Sequence, residues 1–215
     1  MTNWAIIPVK PLTRAKSRLA GILSPEERQV LAERLMRHVV TTVSAARGIH
    51  GVLVISRDPH ALALARDLGA NTVQESGAPE LNSALMRATQ VITAWRGRAV
   101  LVLPADLPLV TSDDVSAMLD MGREEGCLVI APDRNNDGTN ALFTRPPGLI
   151  AYAYGEGSFQ RHVGLAQQIG ATVRIMDSPR LALDIDVPAD LASMLALRPD
   201  FELPFDLAAR FSTQS

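Results

Sequence analysis

The most constraining feature of this sequence is a set of five short apolar runs, rich in Val and Ile, with little polar alternation inside them. Strands that are buried on both faces show this pattern, because neither face meets solvent. Apolar residues between the runs recur with helical spacing. Strand and helix therefore alternate, which predicts an α/β fold with a doubly wound, mostly parallel sheet. The predicted strands are Ala5–Val9, Val52–Ile55, Val100–Leu103, Leu128–Ala131 and Thr172–Met176.

Sequence signals for the start of a helix occur between the predicted strands, as an alternation of strand and helix requires. Ser24-Pro25-Glu26-Glu27 supplies an N-cap, a first-position proline and a capping-box acid in order. Gly69 marks the end of the helix that opens at Asp58-Pro59. The predicted N-caps are Ser24, Asp58, Thr111 and Ser158. The predicted buried stripes are Leu31, Leu35, Val39 and Val43 in one helix, and Leu85, Ala88, Ile92 and Trp95 in another.

The chain has the size of one globular domain: it has 215 residues, 47% of them hydrophobic. We expect residues 1–197 to form that domain, since no repeat or low-complexity linker divides them. The tail, residues 198–215, is different because Phe201, Phe205 and Phe211 stand there without a regular period. We expect the tail to pack on the domain or on a partner subunit of a homodimer.

Charge and cysteine content exclude several classes of protein. The formal net charge is −2, which gives no general reason to bind nucleic acid or an anionic membrane. Cys127 is the only cysteine, so one chain can build neither a disulfide nor a thiolate zinc cluster, and we expect that residue in the core. The start lacks a secretory signal pattern, and no apolar run has membrane-spanning length. We therefore expect a reducing, cytoplasmic location.

A basic loop follows the first predicted strand. This basic loop, residues 10–18, contains Lys10, Arg14, Lys16 and Arg18, and no acid precedes Glu26. Ligands in open parallel sheets bind outside the carboxyl ends of the strands, so a triphosphate is one candidate occupant. The alternative is a solvated loop that leads into a helix. A P-loop is absent, and Gly155-Glu-Gly157 continues with Gln160 where a dinucleotide motif needs glycine, which disfavours ATPase and NAD-linked functions.

Acidic residues follow two later segments. Asp106 stands after the run Val100–Leu103, between Pro104 and Pro108. A single carboxylate there suits Mg²⁺ only if further acids come from elsewhere in the fold. Asp184 and Asp186, two apart, would share one face of an extended segment and could both approach the metal. Their alternative roles are to cap the helix begun by Pro188 or to close a turn.

Small polar residues mark two further loops. Asp137-Gly138 predicts a hairpin turn, which leaves the following Thr139 and Asn140 available to bind a substrate oxygen. Gly155-Glu-Gly-Ser158 precedes a helical stripe, where free backbone amides would suit a small anion and Ser158 would also cap the helix. We expect His162, one turn later, to be a surface or packing residue. No spacing suggests a covalent nucleophile.

Taken together, these segments resemble the guanylyltransferases of coenzyme F420 biosynthesis, which activate 2-phospho-L-lactate or phosphoenolpyruvate. The resemblance runs in order from the first strand to about Leu197 and leaves out the tail. Each segment alone is weakly specific, whereas the set is highly specific. The segments are Ile7–Pro11, Ala15–Leu19, Leu81-Asn82, Pro104–Pro108, Asp137–Asn140, Gly155–Phe159 and Leu183–Asp186.

The resemblance implies a nucleotidyltransferase fold of the GT-A-like kind that uses Mg²⁺. It implies transfer of GMP from GTP to a small phosphorylated carboxylate, for which phosphoenolpyruvate is our first expectation. It assigns the acceptor to Thr139, Gly155 and Ser158 and the metal to Asp106 with Asp184 or Asp186. Lys10, Arg14, Lys16 and Arg18 would offset the triphosphate, with Lys16, Arg18 and Asp106 as catalytic residues.

Base selection and the exact reaction leave alternatives at this stage. Asn82 and Ser83 are the candidates for guanine recognition, although Asn82 could instead cap the helix that carries Leu85. The alternative functions are a related nucleotidyltransferase acting on a sugar phosphate or molybdopterin, and a nucleotide-binding module without catalysis. Nucleoside triphosphate preference and pyrophosphate release distinguish them.

Overall fold

A seven-stranded sheet forms the centre of the molecule. The computed structural model describes residues 2–76 and 80–207. The strands are β1 (Asn3–Val9), β2 (Ile49–Ser56), β3 (Asn71–Gln74), β4 (Ala99–Val102), β5 (Cys127–Pro132), β6 (Thr139–Arg145) and β7 (Thr172–Ile175). Their order in the sheet is β3-β2-β1-β4-β6-β5-β7. Strand β6 pairs antiparallel with β4 and β5, whereas the other pairings are parallel. The predicted α/β class with a mostly parallel sheet is confirmed.

Helices cover both faces of the sheet. They are α1 (Pro25–Ala45), α2 (Pro59–Asp67), α3 (Leu81–Ala94), α4 (Ser112–Met121), α5 (Ser158–Gln168), α6 (Pro179–Ala182) and α7 (Pro188–Leu197). Two short 3-10 helices, Leu12–Arg14 and Ser17–Leu19, shape the basic loop. Side chains of β1 alternate between the faces: Ile7 joins the core under α1, α2 and α4, and Ile6 joins the core under α3 and α5. In the described residues, no helix is both long and apolar enough to span a membrane.

Both edge strands differ from the sequence prediction, and β6 was indicated only by the predicted hairpin turn at Asp137-Gly138, not as one of the five predicted strands. Strand β3 was not predicted, because Asn71–Gln74 contains a single apolar residue, Val73. Strand β3 is an edge strand of the sheet, and an edge strand does not have to be buried by apolar packing on both of its faces. Strand β7 lies at the opposite edge, so the prediction that its run is buried on both faces is wrong, and Ile175 is 54% exposed.

Local capping signals predicted several helix ends correctly. Ser24 and Thr111 each accept a hydrogen bond from the backbone of the acid three residues later, and Asp58 accepts one from the His60 amide. Gly69 follows α2 with φ +81°, a left-handed conformation that glycine adopts without strain. The prediction that Trp95 completes the buried stripe of α3 is wrong. That residue is 45% exposed because the helix ends at Ala94.

The described part of the tail lies against the domain. Phe201, Leu203 and Phe205 pack beside a cluster that includes Leu31 of α1 and Leu191 of α7. Phe211, the third aromatic residue of the predicted tail, lies outside the described residues. Cys127 is fully buried, as expected for a core residue.

Candidate active site

The polar residues singled out in the sequence lie where the parallel strands of the sheet end. Strands β1, β2, β3 and β4 run in the same direction, so their carboxyl ends lie on the same side of the molecule. Strand β6 runs the opposite way and therefore starts on this side with Thr139 and Asn140. A cavity of about 550 Å³ opens at the carboxyl ends of the parallel strands. The predicted site residues that line it are Lys10, Arg14, Lys16, Asp106 and Asp186.

Lys16 connects the basic loop with the later acids. Its ammonium nitrogen donates to Asp106 Oδ2 at 2.5 Å and to the backbone oxygen of Ile185 at 2.5 Å. The Lys16 side chain is only 7% exposed. Its backbone has φ 57°, a left-handed conformation that costs energy for a residue with a side chain and is typical of functional sites. An ammonium group has three N–H donors, so one remains for a ligand in the cavity.

Three carboxylates converge beside this lysine. We call Asp106, Asp184 and Asp186 the acid cluster: each offers one oxygen, and these oxygens lie within 4.8 Å of one another. Burial, followed by repulsion from Asp106, raises the pKa of Asp184. Three neighbouring carboxylates that repel one another, all with hard oxygen donors, match the ligands that Mg²⁺ prefers. The residues present therefore fit a magnesium ion.

Asp186 does not cap a helix, which was one of its two alternative roles, because the cap position of α7 is Val187. Asp190 in the first turn of α7 stabilises this helix start, since its Oδ2 accepts hydrogen bonds from the Asp186 and Val187 amides, both at 2.8 Å. The Asp186 carboxylate instead accepts from Arg18 at 3.0 Å. Arg18 lies at the exposed rim, with 70% of its side chain accessible. Lys10 and Arg14 are also exposed, so three cations of the basic loop face solvent.

A buried network at the start of β6 and α5 holds the predicted acceptor-binding hydroxyls. We call Thr139, Ser158 and His162 the hydroxyl cluster. The Ala153 amide donates to His162 Nε2 at 2.9 Å, so Nδ1 carries the proton and donates to Thr139 Oγ1 at 3.0 Å. Ser158 Oγ donates to the same oxygen at 3.2 Å. These two bonds use both lone pairs of that oxygen and leave the Thr139 hydroxyl proton for another acceptor.

His162 is neutral in this network. Burial, followed by repulsion from the nearby Arg161, lowers the pKa of His162 to about 4. The ring is fully buried, so the surface alternative in the sequence analysis is wrong and the packing alternative is right. Its signal in the sequence was its position one turn into α5, on the same side as Ser158.

The loop of residues 155–157, which we call the glycine loop, precedes α5 and is hydrogen-bonded to the hairpin turn between β5 and β6. Asp137 Oδ2 accepts from the Gly157 amide at 3.1 Å, and the Asp137 backbone oxygen accepts from the Phe159 amide at 2.9 Å. Gly155 has φ +121°, a conformation that side chains rarely adopt. Asn140, the neighbour of Thr139, donates to Asp184 Oδ1 at 3.3 Å. This contact links β6, the strand that carries Thr139, to the acid cluster.

Two predicted caps are wrong, because both side chains find tertiary partners instead. The backbone cap of α5 is Gly157, while the Ser158 hydroxyl is used on Thr139. The cap of α3 is Glu80, whose carboxylate accepts from the Asn82 and Ser83 amides. The Asn82 side chain accepts from the Tyr154 amide at 2.8 Å. That bond joins α3 to the loop before α5, and Asn82 is not one of the residues that line the cavity.

Sequence reasoning missed three charged residues in the cavity wall. Arg57, Glu75 and Glu80 all line it. Arg57 directly follows β2, and Glu75 directly follows β3. The rule that ligands bind at the carboxyl ends of parallel strands would have found Arg57. Glu75 was hidden because its strand was not predicted.

A family comparison agrees with this geometry. The model of the family described as "Guanylyl transferase CofC like" matches residues 3–198, almost the whole described chain. The chain belongs to this family of guanylyltransferases. The resemblance, the guanylyltransferase function and the class of enzyme expected from the sequence are thereby confirmed.

Relatives in the CofC-like family carry two substrate names. Phosphoenolpyruvate guanylyltransferase of Rubrobacter xylanophilus is 42% identical over 196 residues, which cover 91% of this chain and 95% of the relative. The enzyme of the same name from Sphaerobacter thermophilus is 39% identical, covering 93% and 95%. The 2-phospho-L-lactate guanylyltransferase of Methanothermobacter thermautotrophicus is 37% identical, covering 91% and 85%.

Solved structures confirm the nucleotidyltransferase fold. A nucleotidyl transferase from Methanothermobacter thermautotrophicus superposes with a TM-score of 0.64 at 15% identity, covering 93% of this chain and 97% of that one. CMP:2-keto-3-deoxy-manno-octonic acid synthetase, solved with CTP, gives a TM-score of 0.62 at 14% identity, covering 93% and 99%. At such low identity these likenesses establish the fold alone.

Proposed function

We propose that this guanylyltransferase transfers GMP from GTP to phosphoenolpyruvate, or to 2-phospho-L-lactate, with Mg²⁺ and with release of pyrophosphate. The observation that carries the proposal is the Lys16–Asp106 contact, which joins the basic loop and the acid cluster at one cavity. A cavity with cations on one side and a carboxylate cluster on the other suits a polyphosphate bound together with a divalent cation.

The acceptor's own chemistry explains why no general base is needed. The second pKa of a phosphate monoester is about 6, so the acceptor phosphate oxygen is already anionic at neutral pH. That oxygen attacks the α-phosphorus of GTP, the new P–O bond forms, and the bond to the bridging oxygen of the β-phosphate breaks as pyrophosphate leaves. The protein's task is to neutralise two approaching anions and to align them.

The basic loop would bind the triphosphate, and the acid cluster would bind the magnesium ion. Lys10, Arg14 and Arg18 are exposed cations that would hold the triphosphate oxygens, and the third N–H of Lys16 would do the same from within the cavity. Asp106, Asp184 and Asp186 would hold the magnesium ion. When bound, magnesium supplies positive charge to the phosphate oxygens and to the departing pyrophosphate.

The hydroxyl cluster and the glycine loop would bind the acceptor. The bonds from His162 and Ser158 use both lone pairs of the Thr139 oxygen, so its proton would be donated to an oxygen of the acceptor. Gly155 lets the backbone approach a carboxylate or phosphate closely. Neutral donors stabilise an anion without the cost of burying a second full charge.

Phosphoenolpyruvate is our first choice of acceptor, because the two most similar relatives described above carry its name. The product, GDP joined to a carboxylic acid through its phosphate, would serve coenzyme F420 assembly, the pathway that the family implies. With a single cysteine, the chain suits a reducing cytoplasm.

Pyrophosphate release from a substrate panel tests the proposal. The purified protein is incubated with Mg²⁺, one of GTP, ATP, CTP or UTP, and one of phosphoenolpyruvate, 2-phospho-L-lactate, 3-phosphoglycerate or a sugar phosphate. We expect pyrophosphate with GTP and phosphoenolpyruvate. Turnover of a sugar phosphate with another triphosphate would favour the related nucleotidyltransferases. GTP binding without pyrophosphate release from any acceptor would favour a binding module and contradict the proposal.

A further inference from the structure

We propose that Glu75 and Arg57 select guanine: the Glu75 carboxylate accepts hydrogen bonds from N1–H and the 2-amino group, and Arg57 donates to O6. This inference rests on the proposed function, because it assigns the base of the same GTP. It replaces Asn82, whose side chain is engaged by the Tyr154 backbone.

The position of the pair fits the base of a nucleotide whose phosphates lie at the acid cluster. Strands β3, β2, β1 and β4 are consecutive in the sheet, and their carboxyl ends lead to Glu75, Arg57, Lys10 and Asp106, respectively. Three strand spacings separate the first from the last, which is about 14 Å. That is the scale of an extended nucleoside triphosphate. With the phosphates at β1 and β4, the base lies at β2 and β3.

The contacts of Glu75 show a carboxylate with acceptor capacity to spare. Its Oε1 lies 3.4 Å from Arg57 Nε and 3.8 Å from an Arg87 terminal nitrogen, so two guanidinium groups face it. That oxygen is buried, yet it accepts no hydrogen bond within the described residues. The side chain is 14% exposed and lines the cavity. The Glu75 amide donates to the Ser56 backbone oxygen at 2.8 Å, which fixes the residue beside β2.

The donor and acceptor pattern distinguishes guanine from the other common bases. Guanine presents an acceptor, O6, next to two adjacent donors, N1–H and the 2-amino group. A carboxylate is the side chain with two adjacent acceptors, and a guanidinium has donors only. Adenine, cytosine and uracil lack two adjacent donors and would leave the carboxylate unpaired, which a buried site penalises strongly. Glu80, the other acid of this wall, is engaged in capping α3.

Kinetics with a base analogue test the assignment. Inosine triphosphate keeps O6 and N1–H but lacks the 2-amino group. We expect kcat/KM of the wild-type protein to be about 10- to 100-fold higher for GTP than for ITP. In Glu75→Gln the value for GTP should fall by about 10- to 100-fold, mainly through KM, because the base is remote from the reacting phosphorus. ITP should lose less, so the GTP/ITP ratio should fall below about 5.

Glu80→Gln is the matched control, since it removes the same charge from the same wall. Its GTP/ITP ratio should equal that of the wild type, whatever its effect on the stability of α3. An unchanged ratio in Glu75→Gln would overturn the inference and leave Glu75 as an ion-pair partner of Arg57. Equal use of GTP and ITP by the wild type would overturn it even if the variant failed to fold.

Calorimetric binding of GTP and ITP to the wild type separates this inference from the proposed function. A chain that prefers GTP to ITP in binding, but releases no pyrophosphate, would contradict the proposed reaction and keep the base assignment. Pyrophosphate release with no preference between GTP and ITP would support the proposed reaction and contradict the base assignment.

Discussion

The two halves of the candidate site are built in opposite ways. The basic loop and the acid cluster use full charges, and their rim is open to solvent: 70% of the Arg18 side chain and 51% of the Asp186 side chain are exposed. The hydroxyl cluster uses neutral groups, and Thr139, Ser158 and His162 are 7%, 2% and 0% exposed. Full charges attract a polyphosphate strongly but from many directions, whereas a buried hydrogen-bond network holds its polar groups in one orientation. We therefore expect the charged half to supply most of the attraction and the neutral half to orient the acceptor.

The largest expected effect comes from the charged half. Asp106→Asn keeps the volume but removes a proposed metal ligand and the charge opposite Lys16. Loss of an outer-shell partner alone typically costs 10- to 100-fold, so we expect pyrophosphate release to fall by more than about 100-fold. Asp113→Asn, at the exposed start of α4, removes the same charge away from the site and should keep near-normal rates. Comparable rates in the two variants would show that Asp106 does not take part in the reaction.

A smaller effect is expected in the neutral half. Thr139→Val removes the donor and keeps the shape, so KM for phosphoenolpyruvate should rise by about 10-fold while KM for GTP changes little. Thr144→Val, also buried on β6, makes the same substitution near the other end of the strand and serves as the control. An equal rise in both Michaelis constants would show that the two halves do not bind separate substrates.

The smallest effect concerns stability and pH. The folded pKa of His162 is lowered to about 4 from 6.5, so the unfolded chain binds more protons between these values, and the free energy of unfolding falls as pH is lowered through this window. From pH 7 to pH 5 the His162 contribution falls by about 2 kcal/mol. His162→Gln should lose correspondingly less stability in urea unfolding, whereas His50→Gln, at an exposed histidine, should behave as the wild type. Parallel pH profiles for all three proteins would contradict a buried neutral His162.

The sequence predicted those parts of the fold that depend on local patterns. Buried runs such as Val100–Leu103 need apolar residues, and caps such as Ser24 and Thr111 satisfy amides of their own helix. Strand β3 was not predicted because an edge strand is only partly buried, so its sequence does not form an apolar run. The predicted capping roles of Ser158 and Asn82 were wrong because the partners of their side chains, Thr139 and Tyr154, are distant in sequence.

The candidate site was predictable where a strand end marked it. Lys16 and Asp106 each follow a predicted buried strand, and the structure brings them into contact. Glu75 was not predictable in this way, since it depends on β3. The protonation of His162 and the direction of the Thr139 proton follow only from the three-dimensional hydrogen bonds.

Manganese binding, followed by electron paramagnetic resonance, tests most directly whether the acids and the basic loop form one metal–nucleotide site. Mn²⁺ replaces Mg²⁺ as the probe, and the protein is titrated with GTP present and absent. The account predicts one bound ion whose affinity rises with GTP and falls in both Asp106→Asn and Asp184→Asn. Binding that ignores GTP, or that neither substitution weakens, would contradict it.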